Sequence, residues 1–368
     1  MPVPFQRPRA LMLLLVSTAA ALVLAAGFAS AAMAATGALY TQTNDPAGNT
    51  VQRFERGADG SLTPAGTFPT GGAGLAGLGG RQGAVELSGD GRHLFAVNAG
   101  SDSLSVFRAG AHRLRLVDVV ASGGAAPVSI AEHHGRVYVV NSAGTPGVTA
   151  FARRGNGDLQ PIGSRELAPG AAGAAQVSVT PDGAALVVSE RVANRLETLP
   201  LDPAGRPGAP VVTASSGAVP FGFGITQQGT IVVSEAGASS VSSYRLGAAG
   251  ALGVVSASLP VGQGAACWVA VSPSGRFAYT GNASGSISGY AIAADGSLTA
   301  LDADGLTAAL PSPRDLDFDA SGRFLHAVSP GTAGTGGQVT TFRVGADGSL
   351  RVVDTAPAAA GLTGAAAS

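Results

Sequence analysis

Three side chains stand where a reaction could be run. Glu190 and Glu235 end apolar runs of the same form, Ser189-Glu190-Arg191 and Ser234-Glu235-Ala236. A carboxylate at a strand end, turned toward a ligand, can take a proton from water or substrate. Arg314, in Pro313-Arg314-Asp315, offers a planar fork of donors suited to a carboxylate or an oxyanion. Each has a plainer use. The glutamates can cap turn amides or pair with Arg191, Arg195 or Arg314, and Arg314 can pair with Asp315 or a neighbouring glutamate. Trp268, the only tryptophan, can stack on a ligand ring or fill space between elements. The candidates for catalysis are Glu190 and Arg314. Those for ligand binding are Gln82, Gln176, Arg191, Glu235 and Trp268.

Other chemistries find little support. All 22 basic residues are arginine, which removes Schiff-base and lysine-base mechanisms. His93, His133 and His134 fall at turns between first and second strands, His112 falls at an outer turn and His326 inside a second strand. They read as solvated turn or strand residues, and the His-His pair lacks an evident third metal ligand. No spaced Cys/His cluster, phosphate loop or nucleophile elbow occurs, so neither a metal nor a cofactor is expected. Net charge is −1 with no basic stripe, which argues against nucleic acid as a partner. Cys267 is the only cysteine, so no intrachain disulfide can form.

What must position these residues is a repeat. Its fullest form is Val269-Ala270-Val271-Ser272-Pro273-Ser274-Gly275-Arg276-Phe277, then an apolar run to Asn282, a small polar turn, a third run and an Asp-Gly-Ser-Leu turn into a fourth. The first-turn glycine falls at Gly91, Gly135, Gly183, Gly229, Gly275 and Gly322, with Gly37 expected to begin the series one longer step earlier. A glycine-rich insertion over residues 71–80 accounts for that longer step. A period of roughly 46 residues holding four short strands is the signature of a propeller blade. Second strands are expected at 39–42, 94–98, 137–141, 186–189, 231–234, 277–280 and 324–328. The fold class is therefore all-β: a seven-bladed β-propeller of four-stranded antiparallel blades. The first blade lacks room for its innermost strand, and residues 360–367 are expected to supply it and close the ring. The variable crossings between blades carry Arg81-Gln82, Pro127-Val128, Ala175-Gln176, Phe221-Gly222-Phe223, Cys267-Trp268 and Arg314-Asp315. These should ring the channel mouth, the default ligand site of such a ring.

The first residues read as an address. Arg7 and Arg9 precede an apolar run over residues 11–28, and Ala32-Met33-Ala34 supplies a small-residue cleavage site. Residues 1–34 are expected to be a cleaved signal peptide and 35–368 a single domain. The mature chain should then be secreted or extracytoplasmic, monomeric and free of the membrane.

The Thr180-Pro181-Asp182-Gly183 and Ser272-Pro273-Ser274-Gly275-Arg276 turns, the Val137-Tyr138-Val139-Val140-Asn141 strand and the Asp-Gly-Ser-Leu turns at 59–62, 295–298 and 347–350 carry a resemblance. Across essentially the whole of residues 35–368 the chain resembles the lactonase-type seven-bladed propellers, which include bacterial 6-phosphogluconolactonase and the fungal 3-carboxy-cis,cis-muconate lactonising enzyme. The resemblance implies lactone ring opening or closing. Its motifs place Glu190 and Arg314 at the family's glutamate and its last-blade arginine. The family's middle-blade arginine and histidine are replaced by Ala175 and Gln176, and a histidine of the preceding blade by Pro127. Two readings follow. One is an exported lactone hydrolase, with Glu190 activating water and Arg314 holding a substrate carboxylate. The other is a non-catalytic propeller that binds a ligand or an extracytoplasmic protein at the same mouth.

Overall fold

The computed structural model describes residues 1–3, 35–77, 81–332 and 334–368. The leader expected over residues 1–34 lies outside these, apart from its first three residues, as does the end of the insertion at 78–80. Among the described residues no helix is long and apolar enough to cross a membrane. Residues Ala34–Ser368 form one compact unit.

That unit is a ring of seven antiparallel sheets. From the axis outward, blade I holds Thr363–Ala367, Ala35–Gln42, Thr50–Gly57 and Leu62–Pro69, and blade II holds Val85–Leu87, His93–Asn98, Ser103–Gly110 and Arg113–Ala121. Blade III runs Ala125–His133, Arg136–Ala143, Gly147–Arg153 and Leu159–Glu166, and blade IV Ala174–Val179, Ala185–Glu190, Arg195–Pro200 and Val211–Ala214. Blade V runs Pro220–Ile225, Thr230–Glu235, Ser240–Leu246 and Leu252–Pro260. Blade VI has Ala266–Val271, Phe277–Asn282 and Ser286–Ile292, with its outer edge split between Leu298–Ala300 and Ala308–Ala309. Blade VII has Asp315–Phe318, Phe324–Thr332, Gly336–Val344 and Leu350–Ala358.

The burial gradient explains the composition. Second strands are buried on both faces, as in Ala185–Glu190 and Phe277–Asn282, so they read as unbroken runs of small and apolar residues. Outer strands such as Arg113–Ala121 are largely exposed. The core lies between neighbouring blades. Phe95 and Val97 of blade II pack on Val137, Val139 and Phe151 of blade III. Trp268 and Tyr279 of blade VI meet Leu316, Phe318 and Phe342 of blade VII.

The repeating glycine answers a backbone demand. Gly91, Gly135, Gly183, Gly229, Gly275 and Gly322 all turn with φ between 66° and 80°, the left-handed region that a side chain resists. Gly37 departs from the expected series. It lies inside strand Ala35–Gln42, with no first turn to make, because blade I takes its inner strand from the other end of the chain. Thr363–Ala367 pairs antiparallel with that strand, placing Leu39 opposite Ala367 and Tyr40 opposite Ala366. The ring is thus closed by pairing Ala35–Gln42 with Thr363–Ala367, and among the described residues no sheet edge is left facing a gap.

Candidate functional site

The inner strands leave one edge of backbone N–H and C=O groups along the axis, and two glutamines occupy it. Gln176 of blade IV donates from Nε2 to the Phe223 carbonyl at 2.8 Å and accepts the Phe223 N–H at 2.6 Å. Gln82 reaches across from the start of blade II to blade VI, where its Oε1 accepts the Val269 N–H at 2.9 Å and its Nε2 donates to the Val269 carbonyl. It also reaches the Phe223 carbonyl at 3.4 Å. Each side-chain amide therefore pairs with one residue as a neighbouring strand would. Both were expected at the ligand. Their amide groups are instead engaged with backbone, and they close the floor of the mouth.

Above that floor three guanidinium groups converge. Arg81 and Arg191 lie over the Phe221 ring at 5.8 and 5.4 Å, and Arg314 lies over the Trp268 ring at 5.5 Å. Phe221 and Trp268 meet edge to face with centroids 5.8 Å apart. Trp268 is 1% exposed, so its indole supports the arginine and is covered by it. Burial, then the nearby Arg191 charge, brings the Arg81 pKa down to about 10, still a cation at neutral pH. Burial also lowers that of Arg191. It pushes the Cys267 thiol up to about 11 against the pull of Arg314 and Arg191, so the thiol stays protonated. Arg314 makes no pair with Asp315, whose oxygens accept the N–H groups of Leu316 and Ala365 at 2.8 and 3.0 Å. Arg314 also lines a cleft of about 340 Å³ with Thr43, Leu75, Pro330 and Leu362. The described part of the insertion bounds this cleft, held to blade I by the Leu75 N–H on Asn44 Oδ1 at 3.1 Å.

The two glutamates are placed away from these arginines. Ser189 turns toward blade V, where its hydroxyl donates to the Phe221 carbonyl. Glu190, one residue on, therefore turns the other way. It is fully buried, with Oε1 on Arg195 Nε at 2.7 Å and Oε2 on the Ala172 N–H at 2.8 Å. Arg195 also holds Glu197 at 2.8 Å. Burial, then a hydrogen bond with Glu190, lifts the Glu197 pKa to about 7. Glu235 is likewise buried. Its Oε1 takes the Gly217 N–H at 2.7 Å and the Ser242 hydroxyl at 2.6 Å, and its Oε2 takes the Ser240 hydroxyl. Blade II does the same with Asn98 on Ser103 and Ser105, and blade VI with Asn282 on Ser286 and Ser288. The last residue of a second strand is thus a recurring clamp on the strand that follows. The alternative use of the glutamates, in turn amides and ion pairs, is the one the geometry displays.

A second, acidic tier lies deeper in the ring. Glu86, Asp315 and Asp317 line a cavity of about 110 Å³ with Gln82 and Gln176. Glu86 and Asp317 keep some surface open to this narrow channel, yet sit deep enough that burial dominates. It holds Glu86 and Asp315 well above the usual carboxylate range and lifts Asp317 to about 7. Among the described residues no group of three His, Cys, Asp or Glu side chains is arranged to hold a metal ion. The histidines correct one expectation. His93 is 4% exposed and His326 is fully buried, its pKa pushed down to about 4 by burial, so neither is a solvated residue. Residue types alone did not single out Arg81 or the acidic tier. The alternation Asp315-Leu316-Asp317-Phe318-Asp319 is the signal that could have found the latter.

The fold and the mouth together define a seven-bladed propeller with an arginine-lined channel entrance. The family model for lactonases with a seven-bladed β-propeller matches residues 45–169 and 163–267, and the chain belongs to that family. None of the curated proteins matches the chain. Among solved structures, a putative 6-phosphogluconolactonase from Bacteroides fragilis superposes with a TM-score of 0.73 at 16% identity, covering 90% of this chain and 98% of the other. A putative 6-phosphogluconolactonase from Bacteroides uniformis gives 0.71 at 17%, covering 90% and 99%. A periplasmic gluconolactonase from Pseudomonas aeruginosa gives 0.68 at 19%, covering 89% and 98%. At these identities the likeness is one of fold.

Proposed function

We propose that this lactonase-family propeller opens a lactone bearing a negatively charged group, at the mouth framed by Arg81, Arg191 and Arg314. The observation that carries the reading is the state of the arginines. Among the described residues Arg191 and Arg314 have no carboxylate partner, only aromatic rings beneath them. Partly buried guanidinium groups without counter-charge favour an anion, and one aimed at a carbonyl oxygen stabilises the oxyanion that forms on attack by water. Arg314 is the residue proposed for that oxyanion, and Arg191 and Arg81 for the ligand's own charge. Glu190 and Glu235 enter as clamps that fix blades IV and V around the mouth. The sequence of residues 1–34 supports an extracytoplasmic setting, and a periplasmic gluconolactonase shares the fold.

A second reading rests on those same glutamates. With both carboxylates engaged in clamps, the described residues place no free general base beside the arginines, which suits a propeller that binds an anion without turning it over. The deciding experiment is a pH-indicator assay of residues 35–368 on five- and six-membered lactones, with and without a carboxylate. Turnover restricted to charged lactones, and lowered about 100-fold or more in Arg314→Gln, is the expected result. No turnover on any lactone, from protein that melts cooperatively, overturns the hydrolase reading in favour of the binding one.

A further inference from the structure

The strand that closes the ring touches both tiers of the channel. The Thr363 hydroxyl accepts the Arg81 N–H at 2.8 Å. Farther along, the Ala365 N–H donates to Asp315 at 3.0 Å and the Ala367 N–H to Asp317 at 2.8 Å. Asp315 directly follows Arg314. Strand Thr363–Ala367 therefore holds one mouth arginine through its backbone and leans on the strand that begins beside another.

The carboxylates that grip it are crowded by like charge. Glu86 of blade II faces them, with Glu132 of blade III close behind it. Asp319 follows the end of their strand. Arg56 of blade I is the near cation, but it is spent on the Ser368 carbonyl at 3.0 Å and on Asp319 at 3.4 Å. His326 is buried near Asp319 and stays neutral above about pH 4. Arg81 and Arg314 sit at the mouth end. Amide hydrogen bonds favour the charged carboxylates, whereas burial and mutual repulsion oppose it and prevail. A neutral carboxyl group still accepts an amide N–H through its carbonyl oxygen.

We propose that Asp315 and Asp317 make the closing strand an acid-set latch, docked tightest in mild acid and loosening toward neutrality, and that loosening frees Arg81 and weakens anion binding at the mouth. The last clause rests on the anion reading of the mouth given above. The direction follows from linkage. Opening the latch returns Asp317 from a pKa of about 7 to an ordinary carboxylate value, so between roughly pH 4 and pH 7 opening releases a proton.

Amide hydrogen exchange of residues 35–368 tests this. Corrected for intrinsic rates, protection at Ala365 and Ala367 should fall at least about tenfold per pH unit between pH 5 and 7, and more steeply if Asp315 is released together with Asp317. Asp317→Asn, which keeps the acceptor and removes the charge, should make that slope shallower, and Asp315→Asn added to it should flatten it. Glu86→Gln should end the fall at a lower pH. A flat wild-type profile, or the same slope in Asp317→Asn, overturns the latch. The change in Trp268 fluorescence as sulfate is titrated in reads the mouth, since Arg314 lies over its ring. Affinity about tenfold weaker at pH 7.5 than at pH 5.5, with a smaller difference in Asp317→Asn, is expected. Equal affinity in the wild type overturns the link to the mouth. No sulfate binding at either pH overturns the anion reading of the mouth, while the exchange slope still decides the latch.

Discussion

At the scale of single residues, the carboxylates and the arginines of this chain divide their labour. Glu190 and Glu235 are fully buried, each oxygen accepts at least one donor, and both are turned away from the mouth arginines, which leaves neither placed to activate water there. Glu235→Ala should leave the Gly217 N–H and the Ser240 and Ser242 hydroxyls without their acceptor, at a cost of about 3 kcal/mol. Denaturant melts would show it as a lower midpoint. Glu190→Gln should be milder, because Arg195 keeps Glu197 and Glu197 no longer shares a proton with a second carboxylate. On any lactone that the wild type opens, Glu190→Gln should change kcat/KM by less than about threefold. A loss of 100-fold with an unchanged melt would restore Glu190 as the general base and reverse the division drawn here.

At the scale of strands, the inner edges of blades V and VI are completed by side chains. Gln82→Ala and Gln176→Ala should each cost about 1–2 kcal/mol, the lower part of the range for an unmet buried amide, since channel water can replace part of the pairing. Both glutamines reach the Phe223 carbonyl, so the double variant should cost measurably less or more than the sum of the two. Strict additivity in paired urea melts would show that the two do not act on one edge. This level also marks how far the sequence could be read. The turn glycines and buried second strands declared blades II to VII, because positive φ and burial on both faces restrict residue choice strongly. Gly37 misled because glycine is also tolerated in a strand where a Cβ would meet Ser368 and Arg56. The mouth was legible as a set of crossing positions, including Arg81 and Arg314. What each residue does there was not. Whether Gln176 reaches a ligand or Phe223, and which face of its strand Glu190 takes, depends on the neighbouring blade, and a repeat read one blade at a time holds no record of that contact.

At the scale of the whole ring, the buried acids set how stability answers pH. Asp317 and Glu197 sit near 7, and Glu86 and Asp315 are raised well above their usual range. In the unfolded chain these groups lose their protons near pH 4, so between pH 4 and 7 the folded state binds more protons, and stability falls as pH rises. His326, lowered to about 4, works the other way. Below its unfolded value near 6.5 the unfolded chain takes up a proton that the folded one refuses, which costs stability as pH falls. Burial lowers His93 and His133 as well, so three histidines stand against four acids, and the acids, two of them held well above their usual range, prevail. Below pH 4 the turn aspartates Asp90 and Asp182, whose pKa values are lowered by hydrogen bonds to Ser88 and Thr180, become protonated and their contribution is lost. Stability should therefore peak on the acid side of neutrality, near pH 4–5. One kcal/mol is worth about 2 °C in a chain of this length, so Tm should stand several degrees higher at pH 5 than at pH 8. Replacing Asp317 by Asn and Glu197 by Gln together should remove much of that difference by raising Tm at pH 8, since each substitution leaves a neutral group where burial now penalises a charge. Calorimetric melts of the wild type and the double variant at the two pH values decide it. A wild type that melts higher at pH 8 would mean that the channel acids are charged and compensated, and would place the dominant proton linkage of this ring elsewhere than in its channel.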